Sequence, residues 1–264
     1  MRLEVQNLVK RYGDAFTLSI PELIVEDGAT LGLVGNNGAG KTTFLRLALD
    51  LLEADDGGVF LGGDRVDQST RWKKRTSAHL DDAFLIDFLT PDEFLAFVGS
   101  TYDLSAGEVD ARAAPFHPFF SDDVLGQEAR YIRDLSTGNA KKVGVVAALL
   151  PRPDLLILDE PFANLDPRSQ IQLKDLLAQQ RAEHGTTMLI SSHDLLHVTD
   201  VCQRITVLDD GRIARDEPTT EGTLQDLETY FKNELRTARP ASASPEDTSA
   251  EASPPSGNGS AQAA

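Results

Sequence analysis

One cysteine, Cys202, is all that this chain of 264 residues contains. No disulfide can form within it, and the thiol reads as a small buried side chain. A long hydrophobic run is missing too. The longest strongly apolar stretch, VGVVAALL at 143–150, falls well short of the roughly 18–20 residues that a bilayer-spanning helix needs. The opening MRLEVQNLVKRYGD alternates polar and apolar residues and has no unbroken apolar segment of the secretory kind, so the expected location is cytoplasmic. Basic residues are scarce beside acidic ones, 25 Lys and Arg against 42 Asp and Glu, for a formal net charge of −17. A nucleic-acid partner held mainly by phosphate contacts is therefore not expected. The acidity fits a solvated anionic surface that keeps the protein soluble, and equally an adaptation to high salt. The chain has no internal repeat.

What is present is regular. The length suits one large domain or two small ones, able to bury roughly 70–75% of the unfolded surface. Up to about Ile20 the pattern is strand-like, with Leu3 and Val5, then Phe16, Leu18 and Ile20, at period two. Asp27-Gly28 makes a turn, ATLGLV a buried strand, and GNNGAGKTT leads into an apolar-periodic helix, TFLRLALDLL. Between about residues 72 and 134 helices and loops take over. Thr90-Pro91-Asp92-Glu93 reads as a helix start, with Thr90 the N-cap and Glu93 its reciprocal partner. A strand at 155–158, a helix from about Pro167, a strand at 187–191, another helix and a hairpin turning at Asp209-Asp210-Gly211 follow. Alternation of strands and helices implies a largely parallel sheet covered on both faces. A last amphipathic helix is expected over 223–236. Residues 237–264, all Ala, Ser, Pro and polar residues, carry no large apolar side chain and read as a disordered tail.

The strongest signal is Gly35-Asn36-Asn37-Gly38-Ala39-Gly40-Lys41-Thr42, with Thr43 following. It matches the phosphate-loop pattern and sits between a strand and a helix. Glycines let the backbone wrap a phosphate, backbone N–H groups and the helix N-terminus add positive potential, Lys41 reaches the terminal phosphates, and the Thr42 hydroxyl ligates magnesium. In LLILDE, 155–160, a buried strand ends in two acids. Asp159 then stands at the carboxyl edge of the sheet, placed to hold magnesium through a water, and Glu160 becomes the candidate general base. LSTGN, 135–139, offers a second anion-binding element at a helix start through Ser136 and Gly138. A plain N-cap is the alternative there.

Taken together these segments resemble the ATP-binding-cassette (ABC) ATPases over roughly residues 2–215. GNNGAGKTT looks like that family's Walker A loop, LSTGN like its signature sequence, LLILDE like its Walker B strand, PFANLDP at 161–167 like its D-loop, and Ser191-Ser192-His193 like its switch region. The resemblance implies an α/β fold, a P-loop NTPase core with an N-terminal antiparallel β region and an inserted α-helical subdomain at about 72–134, all within an ATPase domain of residues 1–236. It implies ATP and Mg²⁺ as cofactors and a head-to-tail pair, a homodimer or a pair with a similar subunit, in which the signature helix of one chain caps the γ-phosphate held by the other. Tyr12 resembles the aromatic that stacks on adenine, with a strand-end core aromatic as the alternative. His193 resembles the switch histidine that contacts the γ-phosphate and links to Glu160. Asp166 would join the D-loop contacts across the dimer, and it also suits the N-cap of the helix opening at Pro167.

Two departures stand out. Thr137 and Asn139 occupy signature positions where glycine and glutamine are most frequent, although Ser136 and Gly138 are kept. HLDDAF, with Asp81 and Asp82, lies where the Q-loop glutamine is expected, which makes Asp81 the candidate substitute as a magnesium ligand. The function expected from the resemblance is an ATP-hydrolysing subunit that powers a separate transmembrane permease, an exporter, and sits on the inner face of the cell membrane through that partner. The competing expectation is a soluble ABC ATPase serving assembly or maintenance without a permease.

Overall fold

The computed structural model describes residues 1–120, 124–126 and 130–237. The first half contains β1 (Leu3–Tyr12), β2 (Phe16–Val25), β3 (Thr30–Val34), α1 (Lys41–Ala48), β4 (Asp56–Leu61), β5 (Asp64–Arg65), β6 (Thr76–His79), α2 (Pro91–Thr101) and α3 (Ala106–Ala113). Then come α4 (Thr137–Leu149), β7 (Leu155–Asp159), α5 (Pro167–His184), β8 (Thr187–Ser192), α6 (Leu195–Val201), β9 (Arg204–Asp209), β10 (Arg212–Pro218) and α7 (Thr223–Thr237). The expected disordered tail lies, beyond Thr237, outside the described residues. Among the described residues no helix is long and apolar enough to cross a membrane.

Two sheets organise these elements. The first is antiparallel, in the order β2-β1-β4-β5, and the second has six strands in the order β10-β9-β3-β8-β7-β6. β1 and β2 start on the period-two pattern, burying Leu3 and Val5 with Leu18 and Ile20, and each then steps by three, to Leu8 beyond Asn7 at φ 47° and to Leu23 before Val25. β2 runs past Ile20 through Pro21 to Val25. It can do so because it is an edge strand, where a residue without an N–H is tolerated. In the second sheet β9, β3, β8, β7 and β6 are parallel, and β10 adds an antiparallel edge. β3, β7 and β8 are buried along their whole length, as parallel strands covered on both faces must be. Leu155 and Ile157 of β7 pack on the side of α1 and the antiparallel sheet, whereas Leu156 and Leu158 face the core shared with α4 and α5.

Three local features depart from the sequence reading. α1 ends at Ala48, short of Leu52. Asp50, at φ 55°, closes it with Leu51 N–H donating to Arg46 O at 2.9 Å and Asp50 N–H to Leu47 O at 3.2 Å. This is a Schellman closure, normally given to glycine. β4 and β5 complete the antiparallel sheet without a clear apolar alternation of their own. β6, inside the segment read as helices and loops, pairs in parallel with β7. Its residues, Thr76, Ser77, Ala78 and His79, are mostly polar, so neither hydropathy nor periodicity marks it. The helices of that segment, α2 and α3, each start with a capping box, Thr90 with Glu93 and Ser105 with Glu108.

Gly32, in the centre of β3, shows how closely the helical layer approaches the sheet. A Cβ there would lie 2.1 Å from Val198 Cγ1 and 3.1 Å from Cys202 Sγ. Cys202 is buried at this contact, and burial pushes its thiol up to about 12, which leaves it a packing group without a reactive thiolate. Gly32→Ala is expected to force α6 away from β3 and to destabilise the protein by about 1–3 kcal/mol. A lowered denaturation midpoint in urea would show this.

Candidate active site

Three strand ends meet at one edge of the parallel sheet. β8 lies between β3 and β7, with Val34 opposite Ser192 and Asp159 opposite Ser191. Beyond Val34 the glycine-rich loop curls back toward its own strand. A Cβ at Gly35 would come within 2.2 Å of Leu208 O on β9, so the loop can leave the sheet only along a glycine. Gly40 sits at φ 105°, in the left-handed range that glycine alone enters without strain. Ala39 is tied to the β9–β10 hairpin, its carbonyl accepting the Gly211 N–H at 3.1 Å, and Gly211 O in turn accepts the Ser19 N–H of β2 at 2.7 Å. The loop is thereby braced against both sheets.

Lys41 opens α1 and is almost fully buried. Its ammonium donates to Gly35 O at 2.7 Å and Asn36 O at 3.4 Å, and stands 3.7 Å from Glu160 Oε1. A buried cation bonded to the carbonyls of its own loop holds that loop in a ring and leaves positive charge at its centre. The ring borders a cavity of about 300 Å³, lined by Asn36, Asn37, Gly38, Gly40 and Lys41 of the loop, by Thr42 and Thr43 of α1, by Asp159 and Glu160, and by Phe16. Backbone N–H groups, a helix N-terminus and an ammonium converging on one hollow suit a polyphosphate.

Thr42 Oγ donates to Asp159 Oδ2 at 2.6 Å, and the Ser191 hydroxyl donates to Asp159 Oδ1. A hydroxyl and a carboxylate side by side form a hard oxygen set that fits magnesium, which takes one or two protein ligands and completes its shell with phosphates and water. Glu160 has the left-handed φ of 48°. Its N–H donates to Ser191 O at 3.2 Å and Ser191 Oγ at 3.0 Å. Its Oε2 accepts the His193 N–H at 3.2 Å and lies 2.8 Å from His193 Nδ1. Histidine and lysine thus meet at one carboxylate, that of Glu160.

Other predicted residues lie elsewhere. Tyr12, 44% exposed, pairs with Phe16 at a ring-centroid distance of 6.2 Å and reaches the cavity's edge through it. Asp81 is exposed just after β6, accepts the Ala83 N–H at 3.1 Å, and is not among the residues lining the cavity. Ser136 and Gly138 are also absent from that lining. Ser136 caps α4, accepting the Asn139 N–H at 3.3 Å. Gly138 lies against the 161–167 loop, where a Cβ would stand 2.9 Å from Asn164 O. Asp166 caps α5 by accepting from Ser169 N–H at 3.1 Å and from Ser169 Oγ at 2.5 Å. Sequence reasoning passed over Phe16 and the hydroxyl of Ser191 as site residues. The first carries only a strand-period signal, and the second is a buried hydroxyl at the end of an apolar strand.

Comparison with known proteins bears on the family and the fold. A family model described as ABC transporter matches residues 18–163. An uncharacterized ABC transporter ATP-binding protein of Synechocystis is 33% identical over 206 residues, covering 78% of this chain and 56% of that protein. An ABC transporter ATP-binding protein of Halobacterium salinarum is 36% identical over 238 residues, covering 85% of this chain and 97% of that one. The solved structure of an ATP-binding subunit of an ABC transporter superposes with a TM-score of 0.75 at 28% identity, over 90% of this chain and 98% of the other.

The Asp166 cap yields a pH test. Hydrogen bonds from the Ser169 hydroxyl and N–H hold its carboxyl below the ordinary 3.8, with a smaller contribution from Lys142. A depressed folded-state value means the stabilisation is complete above the ordinary carboxylate range and fades as pH falls through the depressed one. Asp166→Ala is expected to cost about 1 kcal/mol at neutral pH. The difference from wild type in denaturant titrations should shrink as pH is lowered below about 4.

Proposed function

This chain belongs to the ABC transporter family, and we propose that it binds ATP with magnesium and hydrolyses it to drive a separate membrane-spanning permease. The observation that carries the reading is the convergence of Lys41, Thr42, Asp159 and Glu160 on one hollow, with His193 bonded to Glu160 from behind. The loop N–H groups and Lys41 hold and neutralise the phosphates, while Thr42 and Asp159 hold the metal. Magnesium, when bound, supplies further charge neutralisation at the transferring phosphoryl group. Glu160 accepts a proton from the attacking water, and His193 fixes the direction its carboxylate faces. The ammonium of Lys41 stands 3.7 Å from Glu160 Oε1, and a phosphate is the stronger partner for it, which leaves the carboxylate to His193 and water.

The working unit is a pair of cassettes, identical or similar. Ser136 and Gly138 stand at the exposed start of α4, outside the cavity lining of their own chain, so their hydroxyl and N–H groups serve the phosphate of a partner. Asp166 lies on the same loop side and takes part in that contact. Tyr12 and Phe16 provide the stacking face for the base.

A second opening, of about 270 Å³, supports a permease docking surface. It lies between the sheet edge at β6 and helix α2, and Leu51, Phe84 and Phe97 line it while about half exposed. Large apolar side chains around a cleft fit an amphipathic helix presented by a membrane protein. The chain would thus sit on the cytoplasmic face of the membrane through that partner. Export is the direction we assign. Relatives include a Nod factor export ATP-binding protein of Cupriavidus metallidurans, 33% identical, alongside a methionine import protein of Pseudomonas entomophila, 32% identical.

Glu160→Gln should retain ATP binding, lower turnover by about 10²–10⁴ and accumulate an ATP-bound dimer on size exclusion. Turnover near the wild-type rate would remove Glu160 from the role of base. The combined change Phe84→Asp and Phe97→Asp should release the protein from the membrane fraction of its native cells with ATP binding intact. A wild-type protein that is wholly soluble in those cells would instead favour a cassette that works without a permease.

A further inference from the structure

Ser191 has no assigned part in the chemistry, yet it touches both acids of the site. Its side chain is fully buried at the carboxyl end of β8, directly opposite Asp159 in the parallel register. The hydroxyl has one proton to give, and it goes to Asp159 Oδ1. The other carboxylate oxygen, Oδ2, takes the Thr42 hydroxyl at 2.6 Å. The Ser191 oxygen then accepts the Glu160 N–H at 3.0 Å, and the Ser191 carbonyl shares that N–H at 3.2 Å. Glu160 is thereby secured in a left-handed conformation, φ 48°, that a residue with a side chain rarely adopts.

We infer that Ser191 is a positioning residue for the metal site: its hydroxyl locks the Asp159 carboxylate so that Oδ2 faces Thr42, and fixes the backbone from which Glu160 projects. The inference rests on the ATP and magnesium reading of the cavity and deepens it. Without the Ser191 proton, Asp159 Oδ1 would be a buried carboxylate oxygen lacking its donor, and the group would be free to rotate away from Thr42. Groups that orient a metal ligand in this way commonly govern affinity by about 10–100-fold when removed. A hydroxyl serving only to fill a polar gap at a strand end would influence folding and leave the metal requirement where it was.

The test is an equilibrium titration of a fluorescent ATP analogue on the full chain at increasing free Mg²⁺. Ser191→Ala is expected to raise the Mg²⁺ concentration for half-maximal tight binding about tenfold or more, while nucleotide binding in EDTA stays within twofold of wild type. Ser191→Thr keeps the hydroxyl and should return the midpoint to the wild-type value. Should Ser191→Ala fail to fold, Ser191→Cys, whose thiol is only a weak donor, carries the same comparison. A folded Ala or Cys variant with a wild-type Mg²⁺ midpoint overturns the inference, as does a Thr variant shifted as far as Ala. Failure of the wild-type chain itself to bind the nucleotide with Mg²⁺ would overturn the function proposed above, a result distinguishable from either of these.

Discussion

The placement of β8 between β3 and β7 is the constraint on which the site depends. The three strands are parallel and buried on both faces, so apart from Thr30 and Thr187 at their starts their side chains are apolar until the carboxyl ends, where the chain turns outward. At that edge the register sets Val34 opposite Ser192 and Asp159 opposite Ser191. A slip of one residue would send every side chain to the opposite face, breaking the Ser191–Asp159 bond and withdrawing His193 from Glu160 together. The Thr42–Asp159 contact spans 117 positions of sequence and exists only because the sheet brings the two loops to one edge. Hydrophobic burial along the strands thus determines polar geometry at their tips.

How much of this could be read in the sequence depended on whether a residue's reason for being there was local. The phosphate loop was legible because its spacing answers a local need, as at Gly40 for a left-handed turn, although the passage of Gly35 beside Leu208 O appears only in the fold. Asp159 at the sheet edge was legible only beside the phosphate loop, since an apolar strand followed by two acids is common by itself. The capping boxes at Thr90 and Ser105 are likewise local devices, though only the first was singled out. β6 was not legible, since Thr76, Ser77 and His79 are buried polar residues whose strand state comes from pairing with β7. Nor was the end of α1, where Asp50 takes the conformation usually given to glycine. Phe16 needed the fold most of all: only the approach of β2 to the phosphate loop brings its ring to within 2.8 Å of where a Gly40 Cβ would stand.

The start of α4 illustrates how one segment meets two demands. The helix is buried along nearly its whole length after Ala140, and a helix enclosed on all sides is held by its packing rather than by an amphipathic face. Its N-terminus is left exposed but not loose. Ser136 caps it, and Gly138 fits beneath Asn164 O, so the helix start packs closely against the 161–167 loop. Asp166, six residues beyond Glu160, caps α5 from the same loop. An anion-binding terminus of the kind proposed would gain from such rigidity, because its N–H groups would be aimed before a partner arrives.

Electrostatics raises an apparent conflict, since a chain of net charge −17 is asked to hold a polyanion. The conflict is resolved by distance. At physiological ionic strength the field of surface carboxylates decays over about 8 Å, so most of the acidic surface is screened from the cavity. Within that range stand the loop N–H groups, the start of α1 and the buried ammonium of Lys41, all of one sign and poorly screened. The two carboxylates that do border the cavity are each committed elsewhere, Asp159 to the hydroxyls of Thr42 and Ser191 and Glu160 to His193. Hydrogen bonds to those oxygens disperse their negative charge, and a magnesium held by Thr42 and Asp159, as proposed, would reverse it. Nucleotide affinity in this protein is therefore a matter of a few fixed groups at short range, and its acidic exterior weighs on solubility and encounter rate far more than on the strength of the bound state.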